Sequence, residues 1–151
     1  MYYIGIDPGI NGGCAILDDN NSLIAKKCPP TPQEMANLLF DIHLDDCICL
    51  IERVWSMPKQ GVVSTFNFGK NFGEWRGILS AFDIPFIEIT AQKWMKTYGD
   101  LPKIRKDRKH KLKEIAINLY PKNKVTLATS DAILLANLCK ETEGQGWETL
   151  I

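Results

Sequence analysis

The sequence predicts an α/β fold in which a mixed five-stranded sheet, three strands antiparallel and two parallel, is flanked by helices. Three short apolar runs separated by tight polar turns open the chain, and further apolar runs then alternate with helical patterns. The chain has 151 residues, of which 45% are hydrophobic, a size and composition typical of one globular core. We therefore expect residues 1–151 to form a single domain.

The first three strands are predicted over residues 2–7, 13–17 and 22–26. The segments between them are rich in Asp, Asn, Pro and Gly, which favour turns. Because such short connections join antiparallel neighbours, these strands are expected to form a meander.

The rest of the chain alternates helices with single strands. Thr31 is a candidate N-cap, followed by Pro32 at the first helical position and Glu34 at the third. The later predicted elements are a strand ending at Glu52, a loop over 53–63, a helix over 64–82, a strand over 86–89, a short helix after Thr90, and helices over 105–120 and 130–141.

Three carboxylates occur where regular elements end or begin. Asp7 ends the first strand, Glu52 ends the fourth, and Asp131 begins the last helix. Each alone could be structural: a turn residue, a strand-end residue, or a first-turn acid favoured by the helix dipole. Together they indicate a shared divalent metal, because burying unpaired charge is costly. If the first and fourth strands are neighbours, Asp7 and Glu52 meet, as in the ribonuclease H-like architecture.

Charge and cysteine content narrow the class of protein. The net charge is zero, but seven of the 18 Lys and Arg residues lie between Lys103 and Lys113. This run is either a solvated helix face or, beside an acidic metal site, a phosphate-binding surface.

Five cysteines in mostly apolar segments do not resemble a disulfide framework and indicate a reducing compartment. We expect a soluble, non-secreted protein with no membrane span.

Several motifs, in one order along nearly the whole chain, resemble RuvC-type Holliday junction resolvases, most closely their short phage and prophage-like branch. The motifs are Ile4–Gly9, Ile51–Val54, Met57-Pro58 with Gln60-Gly61, Phe68-Gly69, Thr90–Trp94 and Ser130–Ala132.

The resemblance implies an endonuclease of recombination and repair that nicks four-way or branched DNA symmetrically as a homodimer. It would work inside a bacterial or phage-infected cell, in the cytoplasm, with Mg²⁺ (or Mn²⁺ in its place) and no organic cofactor. Asp7, Glu52 and Asp131 match the catalytic, metal-binding acidic positions. The candidates for DNA contact are Phe66, Phe68, Lys70, Lys93, Lys106, Arg108, Lys109 and Lys113. One of the two phenylalanines would stack on unpaired bases, or both pack in the core or at a dimer interface.

The chain departs from the family pattern at one point. RuvC-type sequences usually carry a fourth acidic residue or a histidine shortly before the last Asp, whereas residues 126–130 are Thr-Leu-Ala-Thr-Ser. Lys122, Lys124 or a nearby carboxylate are candidates to compensate. Three alternatives stay open: a broad branched-DNA or RNA/DNA-hybrid nuclease, a junction-binding protein with impaired cleavage, and an ATPase-like domain of the actin and sugar-kinase type.

Overall fold

A computed structural model describes residues 1–43, 45–56 and 58–146. Met57 of the resemblance motif, and the last five residues of the predicted domain, lie outside the described residues. The elements are β1 (Tyr2–Asp7), β2 (Gly13–Asp18), β3 (Leu23–Lys27), α1 (Pro32–Phe40), β4 (Cys47–Glu52), α2 (Val62–Ala81), β5 (Phe86–Ile89), α3 (Ala91–Lys96), α4 (Arg105–Leu119) and α5 (Ser130–Glu141).

The strands form one sheet in the order β3-β2-β1-β4-β5. β1 pairs antiparallel with β2, and β2 with β3, whereas β4 runs parallel to both β1 and β5. The predicted fold class is thereby confirmed. Helix α2 begins two residues earlier than predicted, because the Gly61 carbonyl accepts a hydrogen bond from the Thr65 amide at 2.9 Å and opens the first turn.

Helices cover both faces of the sheet and form two hydrophobic cores. Ile4 and Ile6 of β1 pack with α1 and α2, whereas Tyr3 packs with α4 and α5. Side chains alternate between faces along a strand, so Asp7 and Glu52 continue the series that faces α4 and α5. The alternation therefore aims both carboxylates at the same helical layer.

Helix α5 is the central covering helix and lies against β1 at very close range. A Cβ atom added to Gly5 would lie 2.1 Å from the Ala132 carbonyl oxygen and 2.4 Å from the Ala136 amide nitrogen. Only glycine allows this approach, which brings the first turn of α5, including Asp131, to the carboxyl ends of β1 and β4.

Two further predictions concern cysteines and membranes. All five cysteines are buried and free, and Cys47 and Cys49, two residues apart on β4, contribute to the same core because alternate residues of a strand share a face. Within residues 1–43, 45–56 and 58–146, no helix is long and apolar enough to cross a membrane.

Candidate active site

Asp7 and Glu52 lie side by side because the register of two parallel strands places them so. Ile6 pairs with Ile51, and each carboxylate is the next residue on its strand. Asp7 is only 8% exposed. The following turn is fixed by Gly12, where an added Cβ would lie 1.9 Å from the Asp7 carbonyl oxygen.

Asp131 reaches the same edge of the sheet from α5. It lies in the first turn of that helix and is 2% exposed. Before it, Thr126 and Thr129 bond each other: the Thr126 amide donates to Thr129 Oγ1 at 3.0 Å, and the Thr129 amide to Thr126 Oγ1 at 3.3 Å. Residues 126–130, which depart from the family pattern, thus form a hydrogen-bonded turn with no carboxylate or imidazole, and the N-cap Thr129 makes no side-chain capping bond to α5.

A lysine that the sequence analysis assigned to DNA contact lies among the carboxylates. Lys109 Nζ donates to Asp131 Oδ2 at 2.5 Å and is 3.9 Å from Asp7 Oδ2. It lies on the same face of α4 as Leu112 and Ala116, both fully buried, because residues three and four apart share a helix face. That spacing is visible in the sequence and could have identified Lys109 as a site residue.

The three carboxylates are close enough for their negative charges to repel one another. Burial, followed by the charges of Glu52 and Asp131, raises the pKa of Asp7 well above its ordinary value, against the opposing charges of Lys109 and Arg105. Burial likewise raises the pKa of Glu52. Burial disfavours the Lys109 cation, but the charges of Asp131 and Asp7 outweigh it and raise its pKa. The cluster is therefore a buried acidic group that requires positive charge.

Trp94 positions Glu52. The fully buried indole donates a hydrogen bond from Nε1 to Glu52 Oε2 at 2.7 Å. It is held by α3, whose N-cap Thr90 accepts a hydrogen bond from the Lys93 amide at 3.3 Å. Trp94 belongs to the Thr90–Trp94 motif of the resemblance, but the sequence assigns it no role, because nothing local to the sequence shows what the indole contacts.

The turn after Asp7 is tied to α2. Asn71 Oδ1 accepts a hydrogen bond from the Gly9 amide at 2.7 Å, and Asn71 Nδ2 donates to Cys28 Sγ at 3.3 Å. Phe68 packs on the same glycine, where an added Cβ would lie 3.0 Å from its ring. Phe68 is thus half-buried beside the turn that follows Asp7.

The other candidates for DNA contact lie on the surface of three helices. Phe66 is 68% exposed, and the side chains of Lys93 and Lys106 are exposed. Lys70 pairs with Glu74 at 3.8 Å, Lys113 is half-buried, and Arg108 donates to the carbonyls of Pro102 and Lys103. Of all the predicted DNA contacts, every one of which falls in the described ranges, only Lys109 forms an ion pair with the carboxylates.

An exposed aromatic near Glu52 was overlooked. Trp55 is 51% exposed, and the Arg53 guanidinium carbon lies 5.3 Å from the centre of its ring. Its position three residues after Glu52 is visible in the sequence, whereas its exposure, which is unusual for a large aromatic, is known only from the structure.

Asp7, Glu52 and Asp131 fit a divalent metal in charge and donor chemistry, since hard cations prefer carboxylate oxygens. In the described part of the chain, however, no group of three or more Asp, Glu, His or Cys side chains is arranged to hold a metal ion. The cation that the structure places at the carboxylates is Lys109, whereas Lys122 and Lys124, the lysines suggested to compensate, are exposed.

The sheet order and the covering helices define a ribonuclease H-like α/β fold. Two solved structures share it: T. thermophilus RuvC in complex with Holliday junction substrate (TM-score 0.64, 13% identity, 90% of each chain covered), and Thermus thermophilus RuvC (TM-score 0.59, 13% identity, 90% of this chain and 91% of that one). The predicted likeness to RuvC is therefore confirmed for the fold. By sequence, neither a protein-family model nor a curated protein matches the chain.

Proposed function

We propose that this protein is a divalent-metal-dependent endonuclease that resolves four-way DNA junctions, nicking them symmetrically as a homodimer. The observation that carries the proposal is the meeting of Asp7, Glu52 and Asp131 at one edge of a sheet whose fold is that of RuvC. A metal-dependent nuclease needs such a cluster to bind cations beside a scissile phosphate. As a DNA enzyme, it would act in the cytoplasm of a bacterial or phage-infected cell, in recombination and repair.

Asp7, Glu52 and Asp131 would hold Mg²⁺, with Mn²⁺ as its substitute. The bound metal supplies Lewis acidity that activates water and stabilises the leaving oxygen. The chain's own groups fix the carboxylates: Trp94 orients Glu52, and Asn71 anchors the turn after Asp7. Burial keeps water from screening the charges, so each interaction with the phosphate is stronger than on an open surface.

Basic and aromatic side chains would hold the DNA arms and the open crossover. Lys70, Lys93, Lys106, Arg108 and Lys113 are the candidates for phosphate contact, which adds affinity without sequence information. For base stacking we favour Trp55, which is exposed and lies close to Glu52 in the chain, over Phe66, which lies on the face of α2 that the proposed homodimer would bury. Phe68 is less available, since its ring packs on Gly9.

The outward face of α2 supports the proposed homodimer. Val62 and Phe66 are 85% and 68% exposed, and a Cβ added to Gly69, Gly73 or Gly77 would lie within 4 Å of no atom in the described part of the chain. A solvent-facing helix surface normally carries charged residues, and interior glycines each cost roughly 0.5–1 kcal/mol. A second copy packed against this face would bury the apolar side chains, and the glycines would allow the helices to approach closely.

The decisive test is incubation of a labelled synthetic four-way junction with the protein in Mg²⁺ and in Mn²⁺, beside an Asp7→Asn control. Paired nicks on opposite strands that disappear in the control would support the proposal. Fork, RNA/DNA-hybrid and single-stranded substrates distinguish a resolvase from a broader nuclease. Cleavage of every substrate at equal rates would overturn the junction specificity.

A second candidate function is junction binding with impaired cleavage. It is favoured by two observations: the turn over residues 126–130 supplies no fourth ligand, and Lys109 pairs with Asp131 among the carboxylates. Tight junction binding without nicks in either metal would establish it.

A further inference from the structure

The most unusual feature of the carboxylate cluster is the ammonium group inside it. Lys109 Nζ contacts Asp131 Oδ2 at 2.5 Å and lies 3.9 Å from Asp7 Oδ2, and its side chain is 31% exposed. We infer that Lys109 is the internal counter-ion of the metal-free site, and that a divalent cation binds Asp7 and Asp131 in exchange for it. This inference rests on the proposed metal-dependent function and deepens it.

Packing of α4 aims Lys109 at the cluster. Arg105, Lys109, Leu112 and Ala116 follow one another at helical spacing, and the last two are completely buried. The hydrophobic contacts of Leu112 and Ala116 therefore fix the rotation of the helix about its axis. By contrast, Lys106 on the same helix is exposed.

Exchange follows from the atoms involved. The ammonium group contacts Oδ2 of Asp131, while Oδ1 accepts a hydrogen bond from Ser130 Oγ at 3.4 Å, so both oxygens of this carboxylate already have partners. A Mg²⁺ ion, which binds oxygen at about 2.0–2.1 Å, would have to compete with them. Two cations that close to one carboxylate repel each other strongly in a site of low polarity. The long flexible stem of a lysine lets its head group move out to solvent, which a fixed ligand could not do.

The competing explanation is an ordinary ion pair that ties α4 to α5. Such a tie would be independent of metal, because the lysine would keep its place whether or not a cation binds. The two explanations therefore differ in how metal affinity responds when the ammonium group is removed.

The test measures Mn²⁺ binding to the full chain without DNA, by the electron paramagnetic resonance signal of free Mn²⁺ and by calorimetry. Lys109→Met keeps the aliphatic stem and removes the charge, and Lys111→Met, at an exposed position of the same helix, is the matched control. We expect Lys109→Met to bind Mn²⁺ about tenfold more tightly than wild type, a modest figure for removing one nearby cation. It should also melt at a lower temperature in EDTA, with the loss recovered in Mn²⁺. The control should match wild type in both measurements.

Unchanged or weaker Mn²⁺ affinity in Lys109→Met, with clear binding to wild type, would overturn the inference and leave the proposed function intact. Absence of Mn²⁺ binding to wild type would overturn the metal dependence itself, and the exchange with it.

If Lys109→Met does not fold, the exchange can be tested on the wild-type protein by measuring how readily its lysines are acetylated. Lysines are acetylated briefly in EDTA or in Mg²⁺, and modified sites are quantified by mass spectrometry. Lys109 should react much less than Lys106 in EDTA and become more reactive in Mg²⁺. Equal protection of Lys109 in both solutions would contradict the exchange.

Discussion

The indole nitrogen of Trp94 donates a 2.7 Å hydrogen bond to Glu52 Oε2, so a buried residue of α3 orients a carboxylate at the end of β4. Burial raises the pKa of Glu52, and this hydrogen bond opposes the rise by stabilising the charged form. The contact therefore influences both the orientation and the ionisation of a proposed metal ligand.

Trp94→Phe should impair cleavage and shift its pH dependence. Without the indole N–H, the pKa of Glu52 rises further, so the carboxylate ionises only at higher pH. The acidic limb of the pH–rate profile therefore moves to higher pH. We also expect a loss of stability of roughly 1 kcal/mol, since a half-buried acceptor loses its partner. Rates on a labelled junction across pH, together with thermal unfolding, check both effects.

Trp75→Phe is the matched control for Trp94→Phe, because Trp75 is equally buried and packs in the other core. It loses a similar volume without removing a hydrogen bond to Glu52. An identical pH profile in wild type and Trp94→Phe would refute the positioning role.

Asp7→Asn should abolish cleavage yet stabilise the metal-free protein. The charged form of Asp7 is disfavoured by burial and by the charges of Glu52 and Asp131. An amide of the same shape removes that repulsion, although it also loses the 3.9 Å contact with Lys109. We expect cleavage to fall on the order of 10²-fold or more, and the melting temperature in EDTA to rise. A lower melting temperature in EDTA would mean that the lost contact with Lys109 outweighs the relief of repulsion from Glu52 and Asp131, contrary to this prediction.

The stability difference between Asp7→Asn and wild type should grow with pH. A raised pKa means that the folded state holds the Asp7 proton more tightly than the unfolded state does. The stabilisation from protonated Asp7 is complete below its ordinary pKa of 3.8, and it is lost as pH rises through the higher folded value. Because Asn does not titrate, paired melting curves in EDTA at several pH values isolate this contribution. A difference that stays constant with pH would refute the raised pKa.

The positions of the carboxylates could be predicted from sequence, because strand ends and helix starts are local patterns. Asp7, Glu52 and Asp131 each occur at such a boundary, and sheet order then brings them together. The inward direction of Lys109 could also be predicted, since it shares a helix face with Leu112 and Ala116, both of which are buried. Its contact with Asp131 could not, because that depends on how α4 packs against α5.

Gly5→Ala should prevent α5 from reaching β1. The new methyl group would lie 2.1 Å from the Ala132 carbonyl oxygen, and backbone at that distance has to move. We expect destabilisation of about 3 kcal/mol or more, at the upper end of overpacking effects. Gly61→Ala, which meets nothing within 4 Å, is the control and should change stability by less than about 0.5 kcal/mol. Chemical denaturation of both variants and of wild type measures these changes in the free energy of unfolding.

Gly73→Arg should convert a homodimer into monomers. It places a long charged side chain in the middle of the outward face of α2, where an added Cβ lies within 4 Å of no described atom. The fold should therefore survive, while a second copy could no longer approach. Asn20→Arg adds the same charge in the exposed β2–β3 turn and should leave assembly unchanged. Sedimentation velocity distinguishes the outcomes, and a dimeric Gly73→Arg protein would exclude this face as the interface.

Trp55→Ala should weaken the opening of the junction crossover. The exposed indole, three residues after Glu52 in the chain, offers a flat surface for an unpaired base, and the Arg53 guanidinium 5.3 Å from the ring centre holds it in place. Aromatic stacking contributes roughly 1–3 kcal/mol per base, so junction affinity should fall about tenfold. The fluorescence of 2-aminopurine at the crossover, which rises when the base unstacks from its neighbours, reports the opening directly.

Two further variants interpret the Trp55→Ala result. Trp55→Phe retains an aromatic ring and should recover most of the affinity, whereas Phe40→Ala removes a comparably exposed aromatic from α1 and should have no effect. If Phe66→Ala reproduces the full loss and Trp55→Ala does not, then the stacking residue lies on α2, as the sequence alone suggested. The crossover would in that case meet the helix face that we assign to the dimer, and the two proposals could not both hold.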